Sequence, residues 1–171
     1  MIEIVYKKDL QTITLKPGER REFRYKPELQ SMVKIRLGSS GPLEIEIAGP
    51  HVERERIQGI KEYSFSSNPD SELMVGIQNP AIGFFGKPIS VTVEVELLSD
   101  KKAVELLERV KGYLEAIREM PDFYEFQKEK IKETVQEIME VWKLLGNSAR
   151  QLCKELVETA KKLESKQTEP T

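Results

Sequence analysis

The spacing of apolar residues changes once along this chain, from two to alternating three and four, and the change falls near residue 98. A period of two puts side chains on alternate faces of a strand, whereas three-and-four spacing draws one stripe along a helix. The chain is therefore read as an α+β protein. Residues 1–98 form an antiparallel β-sandwich, 99–165 a helical coiled-coil or bundle domain and 166–171 a polar tail.

Ile13 and Leu15 alternate ahead of Lys16-Pro17-Gly18-Glu19, a turn by its chemistry, because proline presets φ and glycine accepts positive φ. Phe23 and Tyr25 share a face in the next run, and Val33, Ile35 and Leu37 follow. Ser39-Ser40-Gly41-Pro42 breaks the pattern before Leu43, Ile45 and Ile47 resume it. Tyr63 with Phe65, then Leu73 with Val75 and Ile77, supply two further runs. The clearest strand spans 89–97, where Ile89, Val91, Val93, Val95 and Leu97 alternate with Ser90, Thr92, Glu94 and Glu96. One wet and one dry face is the mark of an antiparallel sheet. About eight short strands without helical pattern between them imply two packed sheets.

Residues 10–98, through ITLKPGERREFRY at 13–25, the short strands after it and QNPAIGFFGKPISVTVEVELL at 78–98, resemble the GOLD (Golgi dynamics) domain of p24-type cargo proteins. Similar sequences open on a strand, a Pro-Gly turn and a strand. They close on a Phe-rich loop containing Asn, a Lys and a long alternating strand. The resemblance implies a β-sandwich that mediates protein–protein contacts, with a helical segment after it. The chain departs from that pattern in showing no leader, membrane anchor or cysteine pair, so a role in vesicle cargo selection is not expected.

Beyond residue 98, Ser99 and Asp100 are the caps expected for a first helix bearing Ala103, Leu107, Val110, Leu114 and Ile117 on one face. Pro121 ends it near Met120, and Asp122 with Glu125 has the spacing of a capping box for the next. Ile131, Val135, Ile138, Trp142, Leu145, Ala149, Leu152 and Leu156 then follow a heptad rhythm. Because the phase survives Gly146, one continuous helix of about 64 Å is the first expectation. It would leave apolar stripe uncovered and imply a homo-oligomer. A left-handed cap at Gly146-Asn147, with Ser148 starting a new helix, is the other solution and closes a three-helix bundle. Trp142 is read as a packing residue in either case.

The composition excludes several functions. Lys plus Arg is 27 against 29 for Asp plus Glu, and both halves are nearly neutral, so no nucleic-acid surface is expected. No apolar run reaches membrane-spanning length. Cys153 stands alone and is read as a partly buried thiol, which with the missing leader points to a cytoplasmic location, or to a virion. His51 is the only histidine and has too few soft ligands around it for a zinc site. Glu44 with Glu46, and Glu94 with Glu96, are read as solvated sheet faces, and the alternating charges of Glu53, Arg54, Glu55 and Arg56 as an edge strand or loop. No enzyme, cofactor or metal is expected. The expected function is protein–protein interaction or structural assembly. Its candidate contact surface is Ile82, Phe84, Phe85 and Lys87 in a turn-rich loop, although these apolar residues could instead cover a sandwich end. A sugar- or small-ligand-binding sandwich, with Tyr63, Phe84 and Phe85 stacking on the ligand, is the alternative from another class.

Overall fold

The computed structural model describes residues 2–84 and 86–168. Six strands come first: β1 (Glu3–Leu15), β2 (Arg20–Tyr25), β3 (Ser31–Ala48), β4 (Glu53–Ser67), β5 (Leu73–Gln78) and β6 (Ile89–Asp100). Three helices follow: α1 (Lys101–Glu119), α2 (Phe123–Val141) and α3 (Asn147–Thr168), with a 3-10 turn at Trp142–Leu144.

Six strands replace the expected eight because two of the apparent breaks are bends within continuous strands. Residues 31–37 and 43–47 belong to one strand, β3, whose register merely shifts between Ser39 and Leu43. Pro42 is tolerated there because a bulge frees a residue from the ladder. The opposing strand bends at Gly59, which takes a φ of +82°, so residues 53–57 and 60–67 also make one strand. All pairings are antiparallel. β4 lines one edge of β3 along most of its length, while the other edge pairs with β6 over 32–39 and with β5 over 44–48. β1 extends the β6 side and β2 the β5 side. In place of the two packed sheets expected, a single six-stranded sheet curves into a half-barrel, and its inner face holds Val33, Ile35, Leu37, Leu43, Ile45, Ile47, Val75 and Val93 in one core. Alternation survives the bulge: Leu37 and Leu43 lie six positions apart and both face inward.

The helices behave in two respects as the sequence indicated. Asp100 caps α1, its carboxylate accepting the Lys102 amide at 3.1 Å, and α1 stops at Glu119, two residues before Pro121. The capping box at Asp122 does not form. Asp122 is itself in helical conformation and its side chain makes no capping bond.

The continuous helix is the larger correction. The chain turns at Leu145, which is extended, and α3 returns along α2 to complete a three-helix bundle. The break is held by the connections of the half-barrel. The Gln30 amide donates to the Leu144 carbonyl at 2.8 Å, the Gly146 amide donates to the Glu28 carbonyl at 2.7 Å, and Leu29 bridges Leu145. The Asp70 carboxylate, held on a left-handed backbone, accepts the Asn147 amide at 2.7 Å and so caps α3 from another part of the chain. A Cβ at Gly146 would lie 2.9 Å from the Glu28 carbonyl, which makes glycine necessary at this seat.

Of the predicted stripe, Ile131, Ile138, Leu145, Ala149 and Leu156 are buried within the chain, while Val135, Trp142 and Leu152 are half-buried against the same core. The β4 edge also resists self-pairing. A second copy added antiparallel about Arg54 or Glu55 would set arginine opposite arginine and glutamate opposite glutamate, and like charges directly opposed destabilise a sheet. Light scattering over a concentration series should accordingly return the mass of a single chain. A stable dimer would mean that the stripe or this edge is open.

Candidate functional site

Among the described residues the two most exposed large hydrophobic side chains, Ile82 and Phe84, both lie in the segment 79–87, between β5 and β6. Its geometry begins with Asn79, which is buried at 1% exposure although it is polar. Its side-chain amide donates to the Leu15 carbonyl at 3.1 Å and to the Lys87 carbonyl at 2.9 Å, and its side-chain carbonyl accepts the Ala81 amide at 3.1 Å. Its backbone also pairs across to the turn, accepting from Gly18 and donating to Glu19, each at 3.0 Å. One residue thus ties both ends of the loop to the end of β1. Gly86 packs so closely on Ala81 and Pro17 that a Cβ there would fall 2.9 Å from each.

Above this fixed base the tip turns outward. Gly83 takes a φ of +81° and the Gly86 amide donates to the Gly83 carbonyl at 3.3 Å. Ile82 is 92% exposed and Phe84 wholly so, hence neither covers the sandwich end. Phe85 lies outside the described residues. Lys87 is exposed, as is Lys16 in the neighbouring turn, and neither has an ion-pair partner among the described residues. Beside the loop base, a cleft of about 510 Å³ runs between it and the β3 bulge, lined by Pro42, Pro80, Ala81 and Ile89 with Arg56 and Lys87.

The other residues singled out by sequence lie in ordinary surroundings. Arg20 from β2 reaches over Gly76 to Glu46 at 3.0 Å, and Arg54 from β4 meets the other Glu46 oxygen at 3.0 Å. These guanidiniums, Arg54 foremost, hold the Glu46 carboxyl below its usual range. Glu44 pairs with Arg56, while Lys8 bridges Glu94 and Glu96 and keeps the Glu94 carboxyl low. These faces are salt-bridged ladders, and among the described residues no group of three or more acidic, His or Cys side chains is placed to hold a metal ion. His51 stacks on Phe65 with centroids 5.0 Å apart and contacts Glu53 at 3.1 Å. Tyr63 is half-buried, donates its hydroxyl to Glu55, and carries Lys61 over its ring. Cys153 is buried, which pushes its thiol pKa up and leaves it a packing group.

A second apolar groove, about 410 Å³, lies between α2 and α3 against Val135, Met139, Trp142 and Val157. Lys154, Glu158 and Lys161 mix charges along its rim, so no electrostatic preference selects an occupant. Trp142 is in addition covered by the Arg150 guanidinium at 5.0 Å. No helix among the described residues is long and apolar enough to cross a membrane.

No family model matches this chain, and no curated protein matches it. Among solved structures it is similar to a de novo designed double-stranded β-helix, at 21% identity over 52% of this chain and 97% of the other, with a TM-score of 0.37. It is also similar to PliG of Aeromonas hydrophila, a periplasmic inhibitor of g-type lysozyme, at 7% identity over 53% and 85% and a TM-score of 0.41. The carbohydrate-binding module CBM36, in complex with calcium and xylotriose, matches at 8% identity over 57% and 99% with a TM-score of 0.29. Each likeness spans little more than half of this chain. None of these comparisons adds to the GOLD resemblance, and the architecture itself is a curved antiparallel sheet followed by three helices.

Proposed function

We propose that this chain is a non-catalytic protein–protein interaction module in which the sandwich presents the 79–87 loop to a partner and the helices brace the sandwich. The observation that supports this reading is the full exposure of Ile82 and Phe84 on a loop whose two ends are pinned by a buried asparagine. An apolar tip in water is unfavourable by its area, and a rigid base lowers the ordering cost of covering it with a partner. A GOLD-like protein-binding sandwich is the finer form of the same reading, supported by the 78–98 motif that contains the loop and by the 13–25 motif whose turn it packs against. The sugar-binding alternative is weakened, because Tyr63 is half-buried with its hydroxyl and ring already engaged.

Random peptides displayed on phage and selected on the immobilised chain test this reading. Selected peptides should lose roughly tenfold in affinity when Ile82→Ser and Phe84→Ser are introduced together, as expected for apolar residues central to a contact. They should keep it with Met139→Ser, on the α2 groove. Peptides indifferent to the loop pair would sink the proposal.

A further inference from the structure

We infer that the partner segment taken by this loop is acidic: an apolar side chain flanked by carboxylates, set into the cleft beside the loop base. The inference rests on the interaction reading above and adds the chemistry of the partner. The charges at this end of the sandwich carry it. Glu19 is occupied within its own turn, accepting the Lys16 amide at 3.0 Å and facing Arg21 at 3.6 Å, and Glu44 is held by Arg56 at 2.8 Å. Lys16 and Lys87 have no such partner among the described residues, and no carboxylate lines the cleft. The exposed ends of the loop base and turn are thus left with uncompensated positive charge around an apolar tip and an apolar cleft.

A counter-surface that lowers the free energy must therefore be negative at its rim and apolar at its centre, the arrangement of complementary interfaces generally. A second copy meeting this one loop against loop does not fit, since it would bring Lys16 and Lys87 of both copies together. An anionic membrane meets the charge requirement but leaves the cleft empty. Two lysines are also fewer than the roughly four to eight that mark lipid-held basic segments. A protein segment uses tip, cleft and lysines together.

The test is fluorescence anisotropy with the full chain and a fluorescein-labelled Glu-Asp-Leu-Asp-Glu peptide. A Gln-Asn-Leu-Asn-Gln peptide serves as the neutral match, and phosphatidylcholine vesicles doped with phosphatidylserine are titrated in parallel. The acidic peptide should bind roughly tenfold tighter than the neutral one, and more weakly as salt is raised. The Lys16→Glu, Lys87→Glu double variant should erase that preference, and Phe84→Ser should weaken binding roughly tenfold. All three positions are exposed, and circular dichroism checks that each variant is folded. Equal binding of both peptides, still dependent on Phe84, would overturn the acidic assignment and leave the interaction reading standing. Association with vesicles but with neither peptide would overturn both in favour of lipid. Absence of binding to every probe would overturn the acidic assignment, and the phage selection then decides the broader reading by itself.

Discussion

Leu29→Ala is expected to lower the unfolding free energy by about 2–5 kcal/mol, the range for truncating a fully buried leucine whose surroundings relax only partly. Leu29 is 0% exposed, yet it belongs to the connection between two strands and packs in the helical core, not in the half-barrel. It also bridges Leu145, where the chain turns from α2 to α3. The substitution therefore strikes the joint between the two halves. Urea unfolding followed by Trp142 fluorescence and by far-ultraviolet circular dichroism provides the measurement. The two probes should move together in the native chain and should both shift in the variant, because the joint at Leu29 and Leu145 couples the two cores into one cooperative unit. A loss below about 1 kcal/mol, within the range of ordinary surface substitutions and small packing changes, would show that Leu29 does not hold the joint.

Asn79→Ala is expected to be nearly as costly, for a different reason. The side chain makes three hydrogen bonds at one buried point, to Leu15, Ala81 and Lys87. Truncation leaves those backbone groups without their partner, and each buried group so stranded costs about 1–3 kcal/mol unless water reaches it. A net loss of about 3 kcal/mol is expected, with faster hydrogen exchange at the Ala81 and Gly86 amides as the loop detaches from its base. Asn79→Asp separates hydrogen bonding from shape. A carboxylate can still accept from Ala81 but can donate to neither carbonyl, so its folded-state pKa is raised and its protonated form is favoured. The stability of this variant should be highest below the unfolded carboxyl pKa of about 4 and fall as pH rises through the higher folded value. Equal stability of Asn79→Asp at acid and neutral pH would mean that the two donated bonds contribute nothing.

The candidate loop was legible in its composition, since Ile82, Phe84 and Lys87 stand among glycines and prolines. Whether its apolar residues turn inward or outward was not. That depends on where Asn79 finds acceptors, and one of them, the Leu15 carbonyl, lies 64 positions away. The cleft was likewise invisible, being formed by the β3 bulge and the loop base, which no local pattern connects.

The features that the residues determined by themselves are local ones. Period-two and three-and-four spacing set strand against helix, Asp100 starts α1, and Pro121 prevents its extension. Alternation chose the faces that turn inward, and Leu37 and Leu43 kept the same face through a bulge because their separation is even. Tertiary structure decided whether an interruption is a bend or an end. Gly59 and residues 39–42 bend continuous strands because neighbouring strands supply hydrogen bonds on both sides of the kink. At 142–146 an unbroken heptad phase does end a helix, because Glu28, Gln30 and Asp70 satisfy the backbone groups that the break exposes. A turn inside an apolar stripe costs free energy until those groups find partners, and the partners lie far away in the sequence.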